Sequence, residues 1–174
     1  MNARSRAFAG ALSGLAGTFV LTGLRRALTA ADIIDTSAPE QVVRRVEELG
    51  LLEGWSSGAR KALVVAAHFG YGVGTGAVFG ALRHEDIGPE DELVKKLRGN
   101  REDPVTEATV GAALGILSWG AGWAGWLPVA GVHPAPWTQK TPRALLPVLD
   151  HAAYGAAWGI TYWVLTRKLE NARQ

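Results

Sequence analysis

The chain has 174 residues, of which 48% are hydrophobic, 22 are glycine, 7 are tryptophan and only 20% are charged. Its net charge is +2, and its basic residues form no stripe interleaved with aromatics, so no nucleic-acid partner is expected. The lack of cysteine excludes disulfides, thiolate metal sites and a cysteine nucleophile. Most charges lie outside four long apolar stretches, which favours membrane spans over a soluble amphipathic bundle.

The first apolar stretch covers residues 7–24 and is flanked by arginines on both sides. A basic start before an apolar run also fits a signal peptide. Glycines at positions 10, 14 and 17 favour a membrane span instead, because this spacing lets two helices approach closely in lipid. We therefore predict the first span here.

The polar segment that follows predicts a short amphipathic helix over residues 38–50. Ser37 and Glu40 form a capping-box pattern, with Pro39 in the first turn and Gly50 as a stop. Its valines and Leu49 fall on one side and its charged residues on the other, which is typical of a helix at the membrane surface.

The second apolar stretch, residues 62–82, has no Asp, Glu, Lys or Arg, and its length matches the roughly 20 residues that cross a bilayer. Residues 83–104 are charged and rich in turn signals, which predicts a loop between two halves with a short helix near 90–97. The third span is predicted at 108–132, with tryptophans near its outgoing end. The fourth is predicted at 144–166, although it contains Asp150 and His151.

An internal repeat joins the second and fourth spans, because both contain the pattern H-x-x-Y-G-x-x-x-G. A weaker similarity in glycine spacing links the first and third spans. The sequence therefore predicts an all-α, polytopic membrane four-helix bundle of two parallel-repeat hairpins plus the interfacial helix. The residues predicted to pack the helices are Gly10, Gly14, Gly72, Gly76, Gly80, Gly111, Gly115, Gly155 and Gly159.

The capped segment at Ala38-Pro39, the H-x-x-Y-G-x-x-x-G helix and the four-span layout resemble the YagU-like family of small bacterial inner-membrane proteins, a family without a defined biochemical activity. The resemblance implies an inner-membrane location and carries over no catalytic residue. Ten of the 18 Lys and Arg lie on the side of the termini, and the last loop has only Lys140 and Arg143, so both termini are predicted to be cytoplasmic.

The candidate functional side chains are the two His/Tyr pairs, because ionisable groups at membrane depth are functional hypotheses. They are His68 with Tyr71 and His151 with Tyr154, and Asp150 is added as a helix-start residue or a partner of Arg143. Each imidazole either fixes helix register through a carbonyl or tyrosine, or serves as a ligand or proton carrier. No residue is predicted to be catalytic.

Three roles follow from these patterns. The first is a non-enzymatic structural, accessory or stress-related membrane protein whose partner is the lipid bilayer. The second is a small transporter or proton/ion channel that uses the His/Tyr pairs and forms a homo-oligomer. The third is a haem protein with His68 and His151 as axial ligands, or a metal site that adds His133 or Asp150 to them. Neither a cofactor nor a metal is required by the first role.

Overall fold

A computed structural model describes residues 1–33, 37–83, 103–139 and 141–172. For residues 141–144 it describes the backbone alone. These residues form helices and no strand, which confirms the predicted all-α class. The α-helices are α1 (Ala3–Ala30), α2 (Ala38–Glu48), α3 (Ser57–Leu82), α4 (Pro104–Trp119) and α5 (Thr141–Asn171). A π-helical segment, Gly120–Trp126, and a final turn, Leu127–Val129, continue α4, and Pro136–Thr138 forms one 3-10 turn.

Helices α1 and α3, which form the first hairpin, are longer than the apolar stretches from which they are predicted. Helix α1 starts at the Asn2 cap, whose side chain accepts from the Ser5 N–H at 2.9 Å, and continues past Arg25. Helix α3 starts at Ser56, whose hydroxyl accepts from the Ala59 N–H at 3.2 Å. Side-chain caps satisfy the first backbone donors, so both helices begin in polar sequence before the apolar stretch.

Helix α4 begins directly after Asp103, whose carboxylate accepts from the N–H groups of Val105 at 3.1 Å and Thr106 at 3.2 Å. Both hydrogen bonds favour the charged carboxylate, so they lower the pKa of Asp103. The bond from Val105 has the largest effect. The predicted loop 83–104 and its short helix lie outside the described residues, apart from the two ends of that range.

Three helical stretches are long and apolar enough to cross a membrane: Ala3–Ala30, Ser57–Leu82 and Pro104–Val129. Helix α5 has 31 residues but does not join this set among the residues described. Its apolar character is diluted by Asp150 and His151 and by its polar-tipped aromatics. The coarse prediction of a membrane protein therefore rests on three helices rather than four.

Two glycine seams hold the helices in pairs, α1 with α3 and α4 with α5. A Cβ on Gly10 would lie 2.2 Å from the Gly76 carbonyl oxygen, and one on Gly14 would lie 2.1 Å from that of Gly72. In the second pair, a Cβ on Gly111 would lie 2.1 Å from the carbonyl oxygen of Gly155. Only residues without a Cβ permit this backbone approach.

Helix α5 joins the two pairs by packing against α1 as well as α4. Three of its aromatic side chains, one turn apart, donate to carbonyl oxygens of the first glycine seam. Tyr154 reaches Gly72 at 3.3 Å, Trp158 reaches Gly10 at 3.2 Å and Tyr162 reaches Gly80 at 3.5 Å, and all three aromatic residues are buried. These bonds satisfy the polar tips inside the bundle.

The bundle buries several polar side chains beside its aromatic ones and exposes many large apolar side chains. Ser13, Thr18 and Asp150 are at most 3% exposed, while large apolar side chains cover the outside. The exposed set includes Phe8, Phe19, Val65, Val78, Leu82, Leu117, Leu149 and Ile160. An apolar exterior of this kind is consistent with the three candidate membrane spans.

Candidate functional site

A cavity of about 200 Å³ lies between the helices at the end of the bundle that carries α2. Both predicted histidines and both predicted tyrosines line it. The lining residues are Thr18, Leu21, Arg25, Ala38, Pro39, Val42, Ala67, His68, Tyr71, Gly72, Ser118, Gly122, Trp123, Trp126, Leu127, His151 and Tyr154. The wall is mainly apolar with a few polar groups, which is the usual character of a small-molecule site.

Helix α2 forms the roof of the cavity through Ala38, Pro39 and Val42. Two polar contacts hold it there. Glu47 forms an ion pair with Arg60 of α3, and the Arg45 Nε donates to the Ala130 carbonyl at 3.3 Å, just after α4. The amphipathic helix is thus attached to both hairpins.

We infer that the cavity opens between α3 and the end of α4, because half-exposed residues of both elements line it and the two do not pack along their backbones as the paired helices do. Tyr71 is 48% exposed and Trp126 is 47% exposed at this opening. Gly122 sits between them, because a Cβ there would lie 3.7 Å from the Tyr71 hydroxyl and 3.9 Å from the Trp126 Nε1. A side chain at position 122 would therefore extend into the opening without striking backbone.

The π-helical segment supplies Gly122, Trp123 and Trp126 to the cavity wall. A π-helix carries wider turns than an α-helix, and such segments occur frequently at functional sites. Without it, these residues would project at the angular spacing of an ordinary helix. The wider turn places one glycine and two indoles on the same side of the cavity.

A buried ion pair lies at the back of the cavity. The Arg25 Nε donates to the Asp150 Oδ2 at 2.8 Å, and the two side chains are 13% and 4% exposed. The other carboxylate oxygen of Asp150 accepts from the His151 Nδ1 at 2.6 Å. The prediction that Asp150 is a helix-start residue is wrong, because it lies inside α5, where it pairs with Arg25. The side chain of its other predicted partner, Arg143, lies outside the described part of the structure.

The His151 tautomer follows from its partners. Its Nδ1 contacts the Pro147 carbonyl oxygen at 2.7 Å as well as the Asp150 carboxylate, and both of these groups only accept. The Nδ1 atom therefore carries the proton. In the neutral ring the Nε2 atom is then an acceptor, and it has no hydrogen-bond partner among the described residues.

The His68 tautomer follows in the same way. The Thr22 hydroxyl donates its proton to the Thr18 carbonyl at 2.7 Å, so it can only accept from the His68 Nε2, which lies 2.9 Å away. In the neutral ring the Nδ1 atom of His68 is then an acceptor, with no partner in the described part of the chain. Each imidazole thus anchors one nitrogen in the protein and keeps the other unpaired.

The two tyrosines of the repeated motif occupy different environments. Tyr154 is 5% exposed and contacts the Gly72 carbonyl and Thr75 hydroxyl across the bundle, each at 3.3 Å. Tyr71 is half exposed at the opening of the cavity. The same motif therefore closes the bundle in one copy and borders the cavity opening in the other.

The end of the bundle away from the cavity contains a second ion pair. Arg83 forms an ion pair through both of its terminal nitrogens with the Glu107 carboxylate, joining α3 to α4, and its Nη2 lies 2.8 Å from the Oε1. The guanidinium also lies over the rings of Trp158 and Tyr162, at 6.0 and 5.4 Å from their centroids.

The alternative metal site does not form in the described residues, where no three His, Asp or Glu side chains are grouped for a metal ion. His133 instead stacks on Trp123 with the ring centroids 3.9 Å apart. The haem alternative stays a prediction. A cavity of about 150 Å³ holds one benzene ring, so the 200 Å³ found here is small for the four pyrrole rings of a porphyrin.

Sequence patterns do not identify every residue of the site. Arg25 is predicted to flank a span. Its partner, Asp150, lies 125 positions away in the sequence, and no local pattern reveals a contact over that separation. Thr22 belongs to no sequence motif that would mark it as a contact of His68. Trp123 and Trp126 are predicted to lie at the membrane interface, but the proline after them and the glycine between them are signs of an irregular helix end.

Fold and cavity together define an all-helical protein in which three helices are long and apolar enough to cross a membrane. No protein-family model, curated protein or solved structure matches the chain. The cavity is therefore the basis of the function proposed for the protein.

Proposed function

We propose that the chain is a four-span protein of the bacterial inner membrane, with α1, α3, α4 and α5 arranged as two parallel-repeat hairpins. The two glycine seams support this proposal, because Gly10 and Gly14 meet Gly76 and Gly72 in the first pair of helices, as Gly111 and Gly115 meet Gly155 and His151 in the second. The polar face of α5 supports its role as a span. Its Asp150 is paired inside the bundle, so the exposed part of the helix can remain in contact with lipid.

With both termini in the cytoplasm, the cavity lies in the outer half of the membrane domain and α2 lies at the outer surface. This orientation rests on the excess of basic residues near the termini. The resemblance to the YagU-like family supports the same location.

Within this architecture we propose a non-enzymatic accessory role, in which the cavity binds a small lipid-soluble molecule. The observation that carries this role is the cavity itself, which has a mainly apolar wall with half-exposed aromatic residues of α3 and of the end of α4. A molecule dissolved in the bilayer would reach it through the opening inferred between α3 and α4.

The experiment compares the wild-type protein with Gly122→Leu and Gly120→Leu after extraction from membranes in mild detergent. Leucine at position 122 would fill the opening, whereas a side chain at position 120 meets nothing within 4 Å. Native mass spectrometry should show a bound small molecule in the wild type and in Gly120→Leu, and loss of it in Gly122→Leu. A wild-type protein without such a molecule, or equal retention by all three proteins, would contradict the proposal.

The second candidate is a small transporter or proton channel. It is favoured by the placement of His68 and His151 on one cavity, with Asp150 bonded to His151. Transport would require a state in which the row of Tyr154, Trp158 and Tyr162 opens. A transporter or channel of this kind would also form a homo-oligomer. Proton flux in proteoliposomes that falls in His68→Ala would favour it over simple binding.

A further inference from the structure

We propose that the cavity recognises a neutral ring that carries hydroxyl groups and an apolar tail, the chemistry of phenols and quinols. This inference rests on the proposed binding function and specifies its ligand. Four properties of the cavity define the ligand: its size, its charge, its hydrogen-bonding groups and its opening.

The size of the cavity sets the head of the ligand. A space of about 150 Å³ holds benzene, so the 200 Å³ found here holds one ring with small substituents. The wall contains the indoles of Trp123 and Trp126 and the phenol rings of Tyr71 and Tyr154. Aromatic walls favour a planar ring, because offset and edge-to-face contacts add to the apolar area that is buried.

The charge of the cavity favours a neutral ligand. Arg25 is the cation of the lining, and its Nε is paired with the buried Asp150. An anionic head, such as a fatty-acid carboxylate, would share the guanidinium with this carboxylate and bring a second negative charge close to it. A buried charge without a partner is strongly disfavoured.

The hydrogen-bonding groups favour a ligand that donates. In the neutral forms of the two rings, the Nδ1 of His68 and the Nε2 of His151 are acceptors, since the other nitrogen of each ring donates to the protein, and both residues line the cavity. The two imidazoles come from different helices, α3 and α5. Hydroxyl groups on the ring satisfy these acceptors, whereas a ring with only carbonyl or ether oxygens offers no proton to them.

The opening explains the tail. Between α3 and α4 the cavity reaches the outer surface beside the exposed Tyr71 and Trp126. An alkyl or isoprenoid chain can leave through this opening into the bilayer while the head stays under α2.

The test measures binding of three probes to the purified protein in mild detergent under anaerobic conditions, by tryptophan fluorescence and by melting temperature. The probes are 2-decylhydroquinone, its dimethyl ether and decanoate. The diol should bind saturably and about tenfold or more tightly than the diether, because two neutral hydrogen bonds are lost in the ether. Decanoate should bind more weakly than the diol, and Gly122→Leu should abolish diol binding while Gly120→Leu retains it.

The histidine variants give a second readout. His68→Phe and His151→Phe should each reduce the difference in affinity between diol and diether, with the affinity for the diether little changed. Equal binding of diol and diether by the wild type would overturn the proposed recognition by hydroxyl groups, and preference for decanoate would overturn the neutral ligand. If no probe binds but a Gly122-sensitive molecule is retained from membranes, the ligand class is wrong and the binding function stands.

Discussion

Replacing Gly76 with alanine is expected to lower the melting temperature of the purified protein by several degrees. The new Cβ would lie 2.4 Å from the Gly10 carbonyl oxygen and 2.8 Å from the Gly14 Cα, both backbone atoms that no rotamer change can move. Helices α1 and α3 must separate, and overpacking of this kind costs about 1–3 kcal/mol.

Gly74→Ala is the matched control for this prediction, because it makes the same change in the same helix at a position with nothing within 4 Å. It should keep or raise the melting temperature, since alanine is favoured over glycine in a helix by about 1 kcal/mol. The Gly155→Ala variant should behave like Gly76→Ala, because its Cβ would lie 2.0 Å from the Gly111 carbonyl oxygen. Equal melting of the Gly76 and Gly74 variants would show that the seam does not set the helix spacing.

Removing one partner of the Arg25–Asp150 pair should have the larger effect. Asp150→Leu leaves a guanidinium that is 13% exposed without its carboxylate, and breaking a buried pair in this way costs about 3–5 kcal/mol. Arg25→Met should be comparably destabilising, because it leaves the carboxylate buried. Melting temperature and the yield of monodisperse protein in detergent measure both effects.

The double variant Arg25→Met/Asp150→Leu separates a lost ion pair from lost packing. It should be more stable than either single variant, because no unpaired charge remains inside the bundle. Arg26→Met, at the exposed neighbouring position, should leave the melting temperature close to that of the wild type. Strictly additive losses in the double variant would contradict a coupled pair.

Several features of the fold follow from sequence patterns because they depend on local spacing. Gly72, Gly76 and Gly80 recur every four residues, which places them on one face of a helix regardless of what packs there. The capping box at Ser37 and Glu40 likewise acts within one turn, and α2 begins immediately after Ser37. An apolar run of sufficient length predicts a span for the same reason.

Other features depend on contacts between distant residues and could not be predicted. Arg25 reads as the polar end of a span, yet α1 continues beyond it because Asp150 on α5 neutralises its charge inside the bundle. The change from α- to π-helix at Gly120 has no residue pattern of its own. The tautomers of His68 and His151 follow only from the hydrogen-bond partners that the folded chain supplies.

The central claim is that α5 crosses the membrane beside three more apolar helices, and cysteine labelling tests it most directly. Because the chain has no native cysteine, single cysteines at Glu53, Thr138 and Ala172 each give one labelling site on an exposed position. In intact spheroplasts an impermeant maleimide should label positions 53 and 138, and position 172 only after permeabilisation. Labelling of positions 138 and 172 from the same side would show that α5 does not span, and would contradict the four-span account.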